Sequence, residues 1–284
     1  MNTFVDQHNL IGENDTSTKD CNISANVLAR KRDYYAKQRQ QRINAVASNR
    51  QLRMLQPHSS STFQVALLLQ SDCLGVVRIG VVSDGGKYVC SPWSLPANCT
   101  IYSLGLARQT SFDARIATIS AELYGTKNGC RVYGFDAGKA YRAYPKVPNL
   151  TAYRYKIGAR SKPAMPYSNL APQVSIVDLM SKLGHSYVDI FKIDIEGSEY
   201  RAMQSLLNSW PSMRQRPFAC QILIEIHEKK RNAPRLLAQL EKAEYHLFSK
   251  EPNPWCDTCY ELSYIHETCR QRYGATERYL NNFL

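Results

Sequence analysis

Three acidic residues directly follow one apolar segment of this sequence. Asp194, Glu196 and Glu199 come after Tyr187–Ile193, whose near-continuous apolar side chains predict a buried strand. Asp194 and Glu196 are separated by one residue, so in extended backbone both side chains project to the same side. Carboxylates there could orient a cationic cofactor or accept a proton from a substrate. They could equally cap the helix predicted from Ser198.

Other strand ends in the sequence also carry a glycine or an acid. In an open parallel sheet, ligands bind beyond the carboxyl ends of the strands, so these residues belong to one candidate site. Gly105, two residues after Ser103, lets the backbone approach a ligand because it has no Cβ. Asp136 can accept both ribose hydroxyls of an adenosine cofactor. Glu225 and His227 end a later strand, and His227 could serve as a proton acceptor.

The residues alone leave two cofactor classes open. Both NAD and S-adenosylmethionine present an adenosine ribose to an acid such as Asp136. NAD also needs a pyrophosphate cradle at the first helix N-terminus, whereas the segment Ser103–Arg108 contains one glycine instead of three. This loop therefore favours a cofactor without phosphates, with a nicotinamide-dependent oxidoreductase as a lesser alternative.

The elements that must position these residues alternate between strands and helices. The pattern predicts an α/β fold with a doubly wound, mostly parallel sheet of Rossmann-like type. Because no helix separates the last two strands, they are expected to pair antiparallel at one edge. The predicted strands span residues 100–104, 131–135, 151–157, 187–193, 220–226, 245–248 and 259–265, and the helices span 111–124, 174–183, 198–208 and 234–243.

The stretch FKIDIEGSE at Phe191–Glu199 resembles the signature of the FkbM-type methyltransferases, a methyltransferase-like family within the class I S-adenosylmethionine-dependent superfamily. The similarity runs from about residue 75 to residue 266. Further segments that resemble the family follow in family order: Arg78–Gly80, Asp84–Gly86 with Cys90, Tyr102–Gly105, Ser111–Asp113, Gly134–Asp136, Glu225–His227 and Leu247–Asn253.

The resemblance implies a seven-stranded Rossmann-like sheet that binds S-adenosylmethionine. Gly105 and Ser103 would then lie beside the cofactor, and Asp136 would hold its ribose. Asp194 and Glu196 would line the mouth where the methyl group is transferred. The implied activity is methylation of a hydroxyl group on a small-molecule or glycan-like acceptor. Within that reading, Asp194 is the first candidate for the base, His227 is the second, and no metal is predicted.

One loop departs from the family pattern. Family members usually carry a second glycine or a small, acidic run after the first strand, where this chain has Leu106–Gln109. Arg108 places positive charge near the expected sulfonium. The alternative function is therefore a non-catalytic binding or scaffolding protein with the same fold.

The charge of the chain is concentrated in an N-terminal segment. The 284 residues include 36 Lys and Arg against 24 Asp and Glu, a formal net charge of +12, and eight of the basic residues lie within 30–53. A solvated basic helix or a segment that binds an acidic partner, either nucleic acid or a membrane surface, fits this pattern. The predicted organisation is a disordered and basic helical extension (1–60), a linker and hairpin (61–99), the methyltransferase domain (100–266) and a tail (267–284).

Cysteine usage and hydropathy bear on the compartment. The nine cysteines are dispersed and odd in number, which argues against a disulfide-stapled scaffold. Cys256 and Cys259 form a Cys-x-x-Cys pair, for which a structural role is favoured over zinc or redox chemistry because further ligands at suitable spacing are missing. No apolar run reaches the roughly 20 residues of a membrane span, and none follows Met1. A cytoplasmic protein is expected.

Overall fold

The structure of the chain is a computed structural model. The basic helix predicted within residues 1–60 lies outside the described residues, as does Arg108. The described residues are 67, 69–81, 85–107, 109–138, 147–164, 167, 169–210, 216–227, 233–253, 256 and 259–278.

The described residues form strands and helices that alternate through most of the chain. The strands are β1 (Ser71–Cys73), β2 (Val76–Ile79), β3 (Lys87–Cys90), β4 (Thr100–Leu104), β5 (Arg131–Asp136), β6 (Leu150–Arg154), β7 (Lys156–Gly158), β8 (Gln173–Ser175), β9 (Val188–Ile193), β10 (Ala219–His227), β11 (Tyr245–Pro252), β12 (Cys259–His266) and β13 (Ala275–Glu277). The α-helices are α1 (Ser111–Tyr124), α2 (Ile176–Lys182), α3 (Glu199–Ser209), α4 (Ala233–Lys242) and α5 (Arg270–Tyr273). Short 3₁₀ turns span Pro92–Ser94, Thr126–Asn128 and Glu267–Cys269.

The central sheet has seven strands in the order β11-β12-β10-β9-β4-β5-β6. Strands β6, β5, β4, β9 and β10 are mutually parallel, and β12 runs antiparallel to both β10 and β11. The last two long strands, β11 and β12, therefore pair antiparallel at one edge as expected, with β11 as the edge strand and β12 next to it. The predicted Rossmann-like architecture is confirmed. Because β4, β5, β9 and β10 are parallel, their carboxyl ends meet at one rim of the sheet.

Two boundaries differ from the sequence-based expectation. The strand predicted over 151–157 is interrupted at Tyr155, and only β6 joins the central sheet. The segment predicted as a helix from Val174 begins as β8, which pairs with β7, and its helix α2 starts at Ile176 after a cap by Ser175. The Ser175 hydroxyl accepts from the backbone N–H of Asp178, which satisfies one free donor of the first turn.

Both faces of the sheet are covered, which explains why its central strands consist mostly of apolar residues. Every residue of β9 is buried. On one face, Phe112 and Ile116 of α1 join a hydrophobic cluster with Ile101 of β4. On the other face, Met203 and Leu206 of α3 pack in a second cluster with side chains of α2 and α4. The strand ends are therefore held by burial on two sides.

The hairpin of β2 and β3 is fixed to the central sheet by one buried amide. The Gln221 side chain on β10 accepts from the backbone N–H of Cys90 and donates to the Cys90 carbonyl, both at 2.9 Å. Ser263 of β12 donates to the carbonyl of Tyr88 at 2.8 Å. These bonds hold β3 against β10 and β12, so that Lys87, the first residue of β3, reaches the interior of the domain.

Four disulfide bonds join eight of the nine cysteines, and the ninth, Cys21, lies outside the described residues. The sequence-based expectation against disulfides is therefore wrong. The reason is that scattered spacing along the chain does not restrict distances in space: the paired Cα atoms lie only 4.3 to 5.8 Å apart. The bonds are Cys73–Cys90, Cys99–Cys130, Cys220–Cys269 and Cys256–Cys259.

Among the described residues, no helix is both long enough and apolar enough to span a membrane.

Candidate functional site

Gly105 ends β4 in a conformation that a side chain would disrupt. Its φ is +83°, and a Cβ built on it would lie 1.6 Å from the carbonyl oxygen of Asp194. The Gly105 N–H donates to the Phe135 carbonyl at 2.8 Å, and the Asp194 N–H donates to the Leu104 carbonyl at 2.9 Å. The absence of a side chain at Gly105 therefore allows the ends of β4, β5 and β9 to come together. From the sequence, the glycine was expected only to let the backbone approach a ligand.

Asp136, at the end of β5, is bonded to the loop that follows Gly105. Its Oδ2 accepts from the backbone N–H groups of Leu106 at 3.1 Å and Ala107 at 2.9 Å. Its Oδ1 accepts from the Gly138 N–H at 2.5 Å. An ionised carboxylate offers about four acceptor positions, so Asp136 retains capacity for a further donor such as a ribose hydroxyl. The side chain is partly buried at the rim of the sheet.

Beneath the same loop lie two buried ionisable residues, Asp113 and Lys192. Asp113 of α1 is fully buried, and burial raises the pKa of its carboxyl, although Lys192 and Ser103 act in the opposite direction. The Lys192 ammonium donates to the Gly105 carbonyl at 3.3 Å. Ser103, predicted as a cofactor contact, is itself fully buried next to this pair. Its contact with a cofactor stays a prediction.

Asp194 projects from the end of β9 toward a buried lysine. The Lys87 ammonium lies 3.1 Å from Asp194 Oδ2 and 2.6 Å from Glu261 Oε1. Burial alone would raise the pKa of Asp194, but the ammonium groups of Lys87 and Lys192 and a hydrogen bond with Glu225 hold that pKa well below its usual range. Asp194 is therefore ionised at neutral pH and carries a negative charge at the mouth of the sheet.

Glu225, near the end of β10, is a buried carboxyl beside Asp194. Burial, a hydrogen bond with Asp194 and the charges of Asp194 and Glu261 raise the pKa of Glu225 to about 8. The Asn253 side chain donates to its Oε1 at 2.6 Å. A protonated Glu225 can in turn donate to the Asp194 carboxylate, so the two groups share one proton.

His227 contacts acidic residues through both ring nitrogens. Its Nε2 lies 3.2 Å from Glu196 Oε2 and 3.9 Å from Glu225 Oε2, and its Nδ1 lies 3.2 Å from Glu199 Oε1. The hydrogen bond with Glu199 is the largest cause that raises the pKa of His227 to about 9, with the charges of all three acids adding to it against burial. Without another cation nearby, the imidazole is protonated at neutral pH.

The structure brings Asp194, Glu196 and His227 together, as the strand-end rule predicted. Their possible ligand atoms lie within 4.8 Å of one another. The backbone after β9 is not extended as expected, because Glu196 has a φ of +54°. The Glu196 side chain is mostly exposed. Asp136 and Gly105 are linked to each other through the Leu106–Ala107 backbone. The predicted cofactor and methyl-transfer residues thus lie along one rim.

Sequence reasoning missed five residues of the site. The residues are Lys87, Lys192, Asp113, Glu261 and Asn253. A charged side chain inside an apolar strand, such as Lys192 in FKI or Glu261 in YELSY, is a sequence signal for a buried partner, because lysine and glutamate are seldom fully buried unless paired. Lys87 follows a hairpin turn and gives no such signal.

The model of a family described as "Methyltransferase domain" matches residues 28–266 of the chain. Over 115 residues, the chain is 30% identical to the "Probable methyltransferase-like protein 24" of Homo sapiens and to that of Rattus norvegicus. Each match covers 38% of this chain and 28% of the relative, so the chain spans less than a third of the length of these relatives.

The solved structures that match the chain share little sequence identity with it. Fibrillarin of Aeropyrum pernix, solved with natively bound S-adenosyl-L-methionine, is 10% identical with a TM-score of 0.38, covering 68% of this chain and 83% of its own. The 1,6-didemethyltoxoflavin-N1-methyltransferase of Burkholderia thailandensis, solved with S-adenosylhomocysteine, is 13% identical with a TM-score of 0.31, covering 62% of this chain and 76% of its own.

Proposed function

Because the chain belongs to the methyltransferase-domain family, we propose that it transfers a methyl group from S-adenosylmethionine to a hydroxyl group of a small-molecule or glycan-like acceptor. In this reaction the bond from sulfur to the methyl carbon breaks and a bond from the acceptor oxygen to that carbon forms. The sulfonium becomes a neutral thioether, and the hydroxyl proton leaves to a nearby base. The protein chiefly has to align the oxygen with the methyl carbon.

The observation that carries this proposal is the position of the Asp136 carboxylate. It ends β5, and it accepts two backbone N–H groups from the loop after Gly105. A carboxylate held in this way would suit ribose hydroxyls, and it lies beside a loop that approaches Asp194 closely. The adenosine of the donor would therefore lie along the rim, with its sulfonium toward the acids after β9.

Asp194 is the residue we propose as the proton acceptor, with His227 as the second candidate. Asp194 lies at the mouth of the sheet, and its carboxylate is only 12% exposed. A weak base is enough for this step, because the hydroxyl proton becomes strongly acidic as the oxygen bonds to the methyl carbon. The negative charges of Asp194 and Glu196 also favour a sulfonium nearby.

Calorimetry with S-adenosylmethionine tests the cofactor part of the proposal. Wild-type protein is expected to bind the donor, and Asp136→Asn to weaken binding at least tenfold, because one acceptor for the ribose is lost. Asp72→Asn, a surface aspartate in β1, is the matched control. Absence of binding by the wild type would instead support the non-catalytic scaffolding function.

A second assay addresses the acceptor. Transfer of a labelled methyl group to a panel of hydroxyl-bearing glycans and small molecules is expected to fall at least a hundredfold in Asp194→Asn. The rate is measured at saturating donor, so that weaker donor binding by the variant does not account for the loss. Glu261→Gln is the control for stability, since Glu261 also contacts Lys87. Labelling of amines but of no hydroxyl compound would contradict the proposed acceptor class.

We also propose that the protein works in an oxidising compartment, in place of the cytoplasm expected from the sequence. Four disulfide bonds in one chain are typical of proteins outside the reducing cytosol. Mass spectrometry after alkylation of free thiols in intact cells is expected to show eight cysteines protected. Alkylation of all eight cysteines would contradict the proposal and indicate a reducing compartment.

For the basic segment 30–53, we propose binding to an acidic partner. Its charge predicts an affinity that falls steeply with salt, whether the partner is nucleic acid or an acidic membrane surface. Deletion of residues 1–57 is expected to abolish retention on heparin at 150 mM salt. Retention by the truncated chain would contradict this assignment.

A further inference from the structure

Three groups of possible cation ligands meet at the carboxyl ends of β9 and β10. Within each group, the candidate donor atoms lie within 4.8 Å of one another. All three draw on the acids described above. The groups are Asp194 with Glu225 and Glu261, Glu225 with His227 and Cys259, and Asp194 with Glu196 and His227.

Two of these groups are unsuited to an added cation. Between Asp194 and Glu261 the cation is already supplied by Lys87, whose ammonium contacts both carboxylates. The group that contains Cys259 lacks a thiolate, because Cys259 is bonded to Cys256. The remaining group, Asp194 with Glu196 and His227, combines two carboxylates with one imidazole.

His227 in this group is held as metal-bound histidines are held. Its Nδ1 lies 3.2 Å from Glu199 Oε1, and Glu199 also accepts the His227 backbone N–H at 3.1 Å. Glu199 is fully buried, and its Oε2 has no hydrogen-bond partner among the described residues. A buried carboxylate on one ring nitrogen fixes the ring and leaves Nε2 directed at the ligand position, where Glu196 lies 3.2 Å away.

We propose that Asp194, Glu196 and His227 Nε2 bind one divalent cation at the mouth of the sheet. Glu225, 3.9 Å from the same nitrogen, can supply an additional oxygen. A set of carboxylate oxygens with one imidazole suits a cation of the Mn²⁺ class. The proposal departs from the sequence-based prediction of no metal, because the sequence did not show which acid orients His227.

The charge balance of the mouth supports a cation there. Asp194, Glu225 and Glu261 form one group of carboxyls, and the Lys87 ammonium contacts Asp194 and Glu261 within it. Glu196 lies on the side of His227, with its Oε2 3.2 Å from Nε2 of that residue. A divalent ion at that position would lie against the Glu196 carboxylate, whose negative charge favours a cation there.

The role of the ion rests on the proposed function. An acceptor hydroxyl bound to it would be held beside the methyl donor, and its oxygen would lose a proton more readily. Asp194, one of the ligands, remains the proposed acceptor of that proton. Binding of the ion itself requires neither donor nor acceptor.

The test is titration of chelator-treated wild-type protein with Mn²⁺ alone, followed by electron paramagnetic resonance. We expect one Mn²⁺ per chain, with electron spin-echo modulation from one coordinated imidazole nitrogen. Glu196→Gln and His227→Gln should each weaken binding at least tenfold, and Glu199→Gln about 10- to 100-fold, as expected for loss of an orienting partner. His246→Gln, a buried histidine that lies near Glu267, should leave binding unchanged.

Two results would overturn the site. One is wild-type protein that binds no Mn²⁺ at millimolar concentration, and the other is bound Mn²⁺ without imidazole modulation. The spin-echo measurement uses the wild type, so it does not depend on how the variants fold. Calorimetry with S-adenosylmethionine in the presence of chelator separates this outcome from the cofactor proposal, since donor binding through Asp136 needs no metal.

Discussion

The ammonium group of Lys87 donates to the carboxylate of Asp194 across 3.1 Å, although 107 residues separate them in the chain. The same group donates to Glu261, 174 residues away, across 2.6 Å. Lys87 is 1% exposed, so this pairing occurs away from water. The hairpin of β2 and β3, which lies outside the central sheet, therefore supplies one of the two ammonium groups that keep Asp194 ionised; Lys192 of β9 supplies the other.

Replacement of Lys87 by methionine is expected to destabilise the fold by about 3 to 5 kcal/mol, because two buried carboxylates lose their partner. Urea unfolding monitored by circular dichroism measures this change. Lys156→Met, at an exposed position on β7, is the matched control and should change stability by less than about 0.5 kcal/mol. Addition of Glu261→Gln to Lys87→Met should recover part of the loss, and a purely additive further loss would contradict a coupled pair.

Gly105→Ala is expected to prevent stable folding or to abolish donor binding, because the new Cβ would meet the Asp194 carbonyl at 1.6 Å. Gly184 is the matched control, since its φ is +70° and a Cβ there meets nothing within 4 Å. Gly184→Ala should lower the free energy of unfolding by only about 1 to 2 kcal/mol, the cost of a side chain in the left-handed backbone conformation. Thermal unfolding compares the two variants, and equal losses would show that the close approach to Asp194 is unimportant.

The Cys220–Cys269 bond is expected to contribute about 4 kcal/mol, because it closes the longest loop among the four, with a sequence separation of 49. The Cys256–Cys259 bond closes a separation of 3 and should contribute about 2 kcal/mol or less. Double serine variants of each pair, compared by urea unfolding without reductant, measure both contributions. A larger loss at Cys256–Cys259 would indicate that strain or solvation, rather than loop length, decides the order.

His185 is expected to titrate below the ordinary histidine value. Burial is the largest cause that lowers the pKa of its imidazole, with the charge of Arg131 second. A base whose folded pKa is lowered adds stability above pH 6.5, and that stability is lost as pH falls through the folded pKa. NMR titration of the ring protons measures the midpoint. Tyr102→Phe, which removes a 2.8 Å hydrogen bond with Nδ1, tests the local environment, and a wild-type midpoint above 6.5 would contradict the expectation.

The order of elements was predictable because periodicity and breakers are local. The helix over Ser111–Tyr124 and the strand over Thr100–Leu104 have the predicted bounds. The strand-end rule then identified Gly105, Asp136 and Asp194 as residues of one rim, because parallel strands bring their carboxyl ends together. Local pattern was less informative at β7 and β8, a two-stranded pairing outside the central sheet.

The sequence by itself determined the alternation of strands and helices, and with it the rim that carries Gly105, Asp136, Asp194 and His227. Only the tertiary structure decided which charges meet there. Lys87 belongs to a hairpin whose position depends on Gln221, and Glu199, the first residue of α3, contacts His227 at the end of β10. It also decided the cysteine pairing. Such contacts depend on packing between distant segments and on side-chain rotamers, and neither is encoded in the spacing of residues along the chain.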